Sequence, residues 1–97
     1  MFGGYTLAKD VALKKHLDRA RACNFSLEQS QDAVNEYTKA IELDPKNSMI
    51  FTKRAYYYIR LKQYRKAIDD STRAIELDKR NGWAFDNRAW TYYFGCF

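Results

Sequence analysis

Residues 33–47 read AVNEYTKAIELDPKN, and residues 67–81 read AIDDSTRAIELDKRN. Eight of these fifteen positions are identical, where unrelated stretches of ordinary composition would share about one. The offset between them is 34 residues, and the same offset lays FTKRAYYYI at 51–59 over FDNRAWTYY at 85–93. Phe, Arg, Ala and Tyr recur there. One period therefore governs the chain from Ala33 to Tyr93. A period of this length marks a repeat protein, in which a single unit cannot bury its own apolar face and neighbours must stack on it.

Each unit reads as two helices. Phe51, Ala55, Tyr58 and Ile59 recur at helical spacing, and so do Ala67, Ile68, Ser71, Ala74 and Ile75. Asp44-Pro45 and Asp78-Lys79 close the IEL runs, because proline suits a position just past a helix and not inside one. Asn47 and Asn81 stand where the next helices begin, where a short polar side chain can accept from a free backbone N–H. The link near Lys62-Gln63 is short, which makes its two helices antiparallel neighbours. Alanines at matched places (Ala33, Ala55, Ala67, Ala74) let helix backbones approach closely, with aromatic rings filling the spaces between.

The expected fold is all-α: antiparallel helix–turn–helix repeats stacked as a solenoid of roughly five to six helices. Its expected parts are an extension or extra helical segment at 1–13, a first repeat at 14–47 with an atypical leading helix, a second repeat at 48–81, and the first helix of a third repeat at 82–97. Leu7, Val11 and Leu17 support the extra segment. The third unit stops after one helix rich in aromatics, GWAFDNRAWTYYFGCF. Solenoid ends normally carry a polar capping face. This end is expected to be uncapped, either as a piece of a longer chain or as a surface for homo-oligomers.

Ninety-seven residues with 30% charged side chains fit one soluble domain and exclude a disordered chain. The net charge of +5 lies wholly in the second half, and Pro45 to Ile68 holds no acid at all. Such a field favours acidic partners, although a solvated basic face has the same composition. Cys23 and Cys96 are far apart and form no metal or redox motif, which suits reduced thiols in an intracellular, cytoplasmic protein. MFGGYTLAKD at the N-terminus lacks a secretory apolar region, and no apolar run reaches membrane-spanning length.

These features resemble the tetratricopeptide-repeat family, in period, in the Ala–Tyr–Ala–Ala spacing and in the AIELDP ending. Ala55, Tyr58, Ala67 and Ala74 match the family's packing positions in the second unit. Ala33, Tyr37, Ala40 and Pro45 match in the first, and Phe85, Ala89 and Tyr92 in the last. The leading helix of the first unit departs from the pattern, with Arg21 where a small residue is expected. The resemblance implies a concave groove lined by the first helix of each repeat, gripping a peptide or a partner helix.

Carried over, the groove would present Met49, Thr52, Lys53, Tyr56, Ile59 and Arg60, then Trp83, Asp86, Asn87, Trp90, Tyr93 and Phe94. The first unit would add Lys15, Asp18, Arg19 and Ala22. Lys53 and Arg60 are seven apart and share a helix face with Tyr56 between them. Cations beside rings can hold an acidic side chain while the rings take its apolar neighbours; ordinary solvated side chains would look the same in sequence. Some family members clamp the C-terminal carboxylate of heat-shock proteins with a Lys and Asn set. Here Lys53 stands in place of the middle Asn, Trp83 and Asn87 in place of the last Lys and Arg, and Asp18 and Ala22 in place of the first pair. The expectation is a protein-binding adaptor or scaffold whose basic, aromatic groove takes an acidic or extended segment with a specificity of its own.

No catalytic constellation, metal cluster or cofactor motif is expected. His16 is the lone histidine and reads as solvated. Asp69-Asp70 points to two sides of a helix, with Asp70 expected to pair with Lys66 or Arg73 on the surface. The rival class is nucleic-acid binding, through Lys53, Arg54, Arg60, Lys62, Arg65 and Lys66 interleaved with Tyr56, Tyr57, Tyr58 and Tyr64. It is the less favoured reading, because helical phase scatters these residues and several of the tyrosines are needed for packing.

Overall fold

The computed structural model describes residues 9–17 and 27–95. The described part of α1 covers 9–17, followed by α2 (Leu27–Leu43), α3 (Ser48–Arg60), α4 (Tyr64–Leu77) and α5 (Gly82–Phe94). Every described element is a helix, as the periodicity predicts. Helix α3 packs on α2 and α4, and α5 packs on α4 and α3. Links of three or four residues turn the chain back on itself each time. The calls on residues 1–8, on Asp18, Arg19, Arg21, Ala22 and Cys23, and on Cys96 lie outside the described residues.

The turns follow from local chemistry. Asn47 caps α3, its Oδ1 accepting from the Met49 N–H at 3.0 Å, while its Nδ2 donates to Asp44 Oδ2 at 3.0 Å. Asn81 caps α5 in the same way, accepting from the Ala84 N–H at 3.1 Å. Between α3 and α4, Lys62 adopts φ 59°. This left-handed residue lets the Lys62 and Gln63 N–H groups return to the carbonyls of Ile59 and Tyr58, both at 2.9 Å, and so closes α3.

The core is built on alanines and rings. Ala33, Ala40, Ala55, Ala67, Ala74 and Ala84 are fully buried, which is the close helix approach that their spacing predicts. Tyr37 and Ile50 fill the α2–α3 contact, with Val34, Leu13 and Leu17 around them. The Tyr37 and Tyr57 rings stack at 5.8 Å. Phe51, Ala74 and Ala84 join the second repeat to α5, with Ile75 and Leu77 beside them.

Two expectations need correction, and the uncapped end of the last unit can be described residue by residue. Asp70 does not sit on the surface with Lys66 or Arg73: it is buried and takes a two-point ion pair from Arg54 across the helix interface, at 2.6 and 2.7 Å. His16 is not simply solvated, because its Nδ1 lies 2.9 Å from Glu36 Oε1 and only 20% of its side chain is exposed. The last unit is packed through Ala84 and Thr91. Phe85 and Tyr92 are 41% and 62% exposed, and Ala89 is exposed too. Their counterparts Phe51, Ala55 and Tyr58 are covered by α4, and no described helix covers the outer side of α5.

Candidate functional site

Helices α3 and α5 each open a repeat unit and lie one period apart. Residues at equal register therefore face the same way. Along α3, Met49, Thr52, Lys53 and Tyr56 follow a three-to-four spacing and share one face. Trp83 and Asn87 do so on α5. Together with Tyr37 and Tyr57 they enclose a cleft of about 340 Å³. A neighbouring cleft of similar size runs from Met49 and Lys53 towards Leu17 of α1, and a third runs from Met49 and Trp83 to Arg80 and Asp86. All three share Met49, so they describe one trough across the leading helices.

Six of the twelve groove candidates on α3 and α5 meet in the first cleft: Met49, Thr52, Lys53, Tyr56, Trp83 and Asn87. The Lys53 ammonium sits 5.8 Å from the Trp83 ring centroid, a cation–π contact spanning α3 and α5. Arg60 is not in the cleft wall. It folds over the Tyr56 ring at 5.9 Å and reaches Ser30 of α2 at 3.4 Å. Trp90 and Phe94 lie further along α5, 5.0 Å from one another, with Trp90 6.5 Å from Tyr64. Lys15 is exposed on α1 outside these clefts. Tyr37 and Tyr57 were read only as packing or basic-stretch residues. Their rings belong to the core while their edges reach the cleft, which no spacing rule separates.

The polar groups of the cleft are partly committed. Thr52 is buried; its hydroxyl donates to the Ser48 carbonyl at 3.0 Å and accepts from Asn81 Nδ2 at 2.7 Å. It shapes the floor and has no proton left for a ligand. Asn87 Nδ2 donates to the Thr52 carbonyl at 3.2 Å. Lys53 has no carboxylate among the described residues, so its charge faces the cleft.

Arg54 and Lys66 of the basic stretch have partners within the fold, while Lys62 and Arg65 are exposed. Burial pushes the Asp70 carboxyl above its ordinary value, against the pull of the Arg54 hydrogen bonds. Burial acts to lower Arg54, but the bonds to Asp70 hold the guanidinium above its ordinary value and charged. Lys66 Nζ lies 5.7 Å over the Tyr58 ring. At the other end, a hydrogen bond from His16, helped by Lys39, holds Glu36 below the usual carboxylate value. Among the described residues no cluster of His, Cys, Asp and Glu could hold a metal ion, and no helix is long and apolar enough to cross a membrane.

Two family models described as tetratricopeptide repeat match residues 15–47 and 36–69, together more than half of the chain. No curated protein matches. Among solved structures, the Arabidopsis OM64 TPR domain is similar at 28% identity and a TM-score of 0.81, over 88% of this chain and 69% of that one. The second TPR domain of Spaghetti (RPAP3), bound to the HSP90 peptide SRMEEVD, is similar at 28% identity and a TM-score of 0.79, over 90% and 82%. Period, helix pairing, sequence models and solved neighbours agree, and the chain belongs to the tetratricopeptide-repeat family.

Proposed function

We propose that this chain is a protein-interaction module, and that its trough takes an extended segment of another protein bearing acidic side chains. Lys53 supplies the charge that meets a carboxylate. Met49, Tyr56 and Trp83 supply the apolar walls for the residues beside it, and Asn87 supplies an amide oxygen to a peptide N–H. The observation that carries this reading is the Lys53–Trp83 contact: a cation with no carboxylate partner among the described residues, held on an aromatic wall inside a formed cleft. A charge-assisted bond in such a place is stronger than one in open water. The similar Spaghetti domain supports the reading, since its peptide, SRMEEVD, carries three acids. An adaptor or scaffold role inside the cell is the setting that the cysteine usage favours.

The nucleic-acid reading has less support. Arg54 is neutralised by Asp70 and Lys66 lies on Tyr58, so the basic residues form no single strip along which a backbone could run.

Calorimetric titration tests the proposal. SRMEEVD should saturate the chain, and the same peptide with its three acids replaced by amides should bind about tenfold more weakly or worse. Lys53→Glu should lose the acidic peptide while keeping the helical circular-dichroism signal. Equal affinity for the two peptides, or an unaffected variant, would overturn it.

A further inference from the structure

The cleft that holds Lys53 and Trp83 is not a dead end. It shares Lys53 with the cleft towards α1 and Trp83 with the cleft towards Arg80, and all three share Met49. The space beside the Lys53 ammonium therefore continues in two directions. A closed pocket suits the end of a chain, whereas a space open on two sides lets a chain pass.

Charge separates these two cases further. Towards α1, Lys53 is the only charged side chain of the lining, and Leu17, Tyr37 and Ile50 make its walls. A terminal carboxylate placed there would lose water without gaining a partner. Beyond Trp83 the lining carries Asp78 and Asp86 against one base, Arg80. A terminal carboxylate there would meet two like charges. That leaves Lys53 itself, the only cation among the residues lining the central cleft. The donors around it are largely spent. The Thr52 hydroxyl proton goes to the Ser48 carbonyl, and the Asn81 amide donates to Ser48 and Thr52. One Asn87 N–H goes to the Thr52 carbonyl. A lysine is a point charge and not a fork, so it takes a side-chain carboxylate as readily as a terminal one. A chain that ends at Lys53 fills one flank of the trough, and a chain that passes fills both.

We propose that the trough selects a segment within a partner chain and not its C-terminal end. An Asp or Glu side chain rests on Lys53, an apolar neighbour lies against Leu17 and Ile50, and the partner's terminal carboxylate takes no part. This inference rests on the reading of the trough as an acidic-peptide site and adds which carboxylate that site takes.

Calorimetry on the whole chain compares three probes: SRMEEVD with its free C-terminus, the same peptide with a C-terminal amide, and the same peptide lengthened there by Gly-Ser-Gly. All three should bind within about twofold of one another. The lengthened peptide should also shift the amides of the isotope-labelled chain on both flanks, at Ile50 on one side and at Gly82 and Asp86 on the other. A loss of about tenfold or more on capping or lengthening, with the free-ended peptide still saturating, would overturn this inference and leave the acidic-peptide reading standing. Shifts on one flank alone would overturn it too. Failure of all three peptides to bind a folded chain would overturn the acidic-peptide reading, and this inference with it.

Discussion

The side-chain amide of Asn81 donates to Thr52 Oγ1 at 2.7 Å while its oxygen caps α5. The same amide donates to Ser48 Oγ at 2.7 Å, and Ser48 in turn donates to the Ala74 carbonyl at 2.7 Å. One buried side chain thus starts the last helix and ties it to α3 and α4. Asn81→Asp keeps the cap and removes the donor, so it isolates the tie. It should cost about 2 kcal/mol or more, because a buried carboxylate would then face two hydroxyl oxygens. Asn81→Ala loses both cap and tie and should cost about 2–3 kcal/mol. Urea unfolding checks both, and an aspartate variant as stable as wild type would contradict the network.

The Arg54–Asp70 pair should behave as a buried unit. Asp70→Asn or Arg54→Met alone leaves an uncompensated charge between α3 and α4, and should cost about 3 kcal/mol. Arg54→Met with Asp70→Leu removes both charges and should recover most of that loss. A double-mutant cycle on thermal or urea unfolding gives the coupling directly. Additive losses would mean that the pair is not coupled.

Ser71 is fully buried, and its hydroxyl has no hydrogen-bond partner among the described residues. It stands one period after Tyr37, so a large core side chain of the first repeat is replaced here by a small polar one. An unsatisfied buried hydroxyl costs about 1 kcal/mol. Ser71→Ala should therefore raise stability by up to about 1 kcal/mol, read as a higher urea midpoint. A lower midpoint would mean that the hydroxyl has a partner.

Acid should weaken the fold through the α1–α2 contact. His16 holds Glu36 below its ordinary value of 4.5 in the folded chain. Its contribution is complete above pH 4.5 and fades as pH falls through the lower folded value. Asp70 has the opposite sign. Burial raises it above its ordinary 3.8, so the folded chain takes up that proton more readily and Asp70 adds nothing to acid unfolding. Glu36→Gln should flatten the fall in unfolding free energy below pH 4.5, by a few tenths to about 1 kcal/mol, read from urea unfolding at each pH. An unchanged acid slope would place that sensitivity elsewhere.

What was legible in the sequence is what repeats or acts locally. The alanines, the Asn47 and Asn81 caps and the shared face of Met49, Lys53 and Tyr56 follow from spacing within a helix or a turn. Asp70 was misread because surface rules consider partners three or four residues away, and Arg54 lies sixteen residues off on another helix. Thr52 counted as a ligand contact because its register faces the groove, while its hydroxyl is consumed by Ser48 and Asn81, which only the packed fold brings near. Phe85, Ala89 and Tyr92 carry the packing signature without the helix that would cover them, and sequence alone assigns both cases the same letters.

The central claim is that the trough around Lys53 and Trp83 receives an acidic peptide. The most direct measurement is an amide-shift titration of the labelled chain with SRMEEVD, following the Trp83 indole N–H as well. The account predicts saturable shifts concentrated at Met49, Lys53, Tyr56, Trp83 and Asn87, and their loss in Lys53→Glu. Shifts confined to the Phe85–Arg88–Tyr92 side of α5, or no shifts with a folded chain, would contradict it.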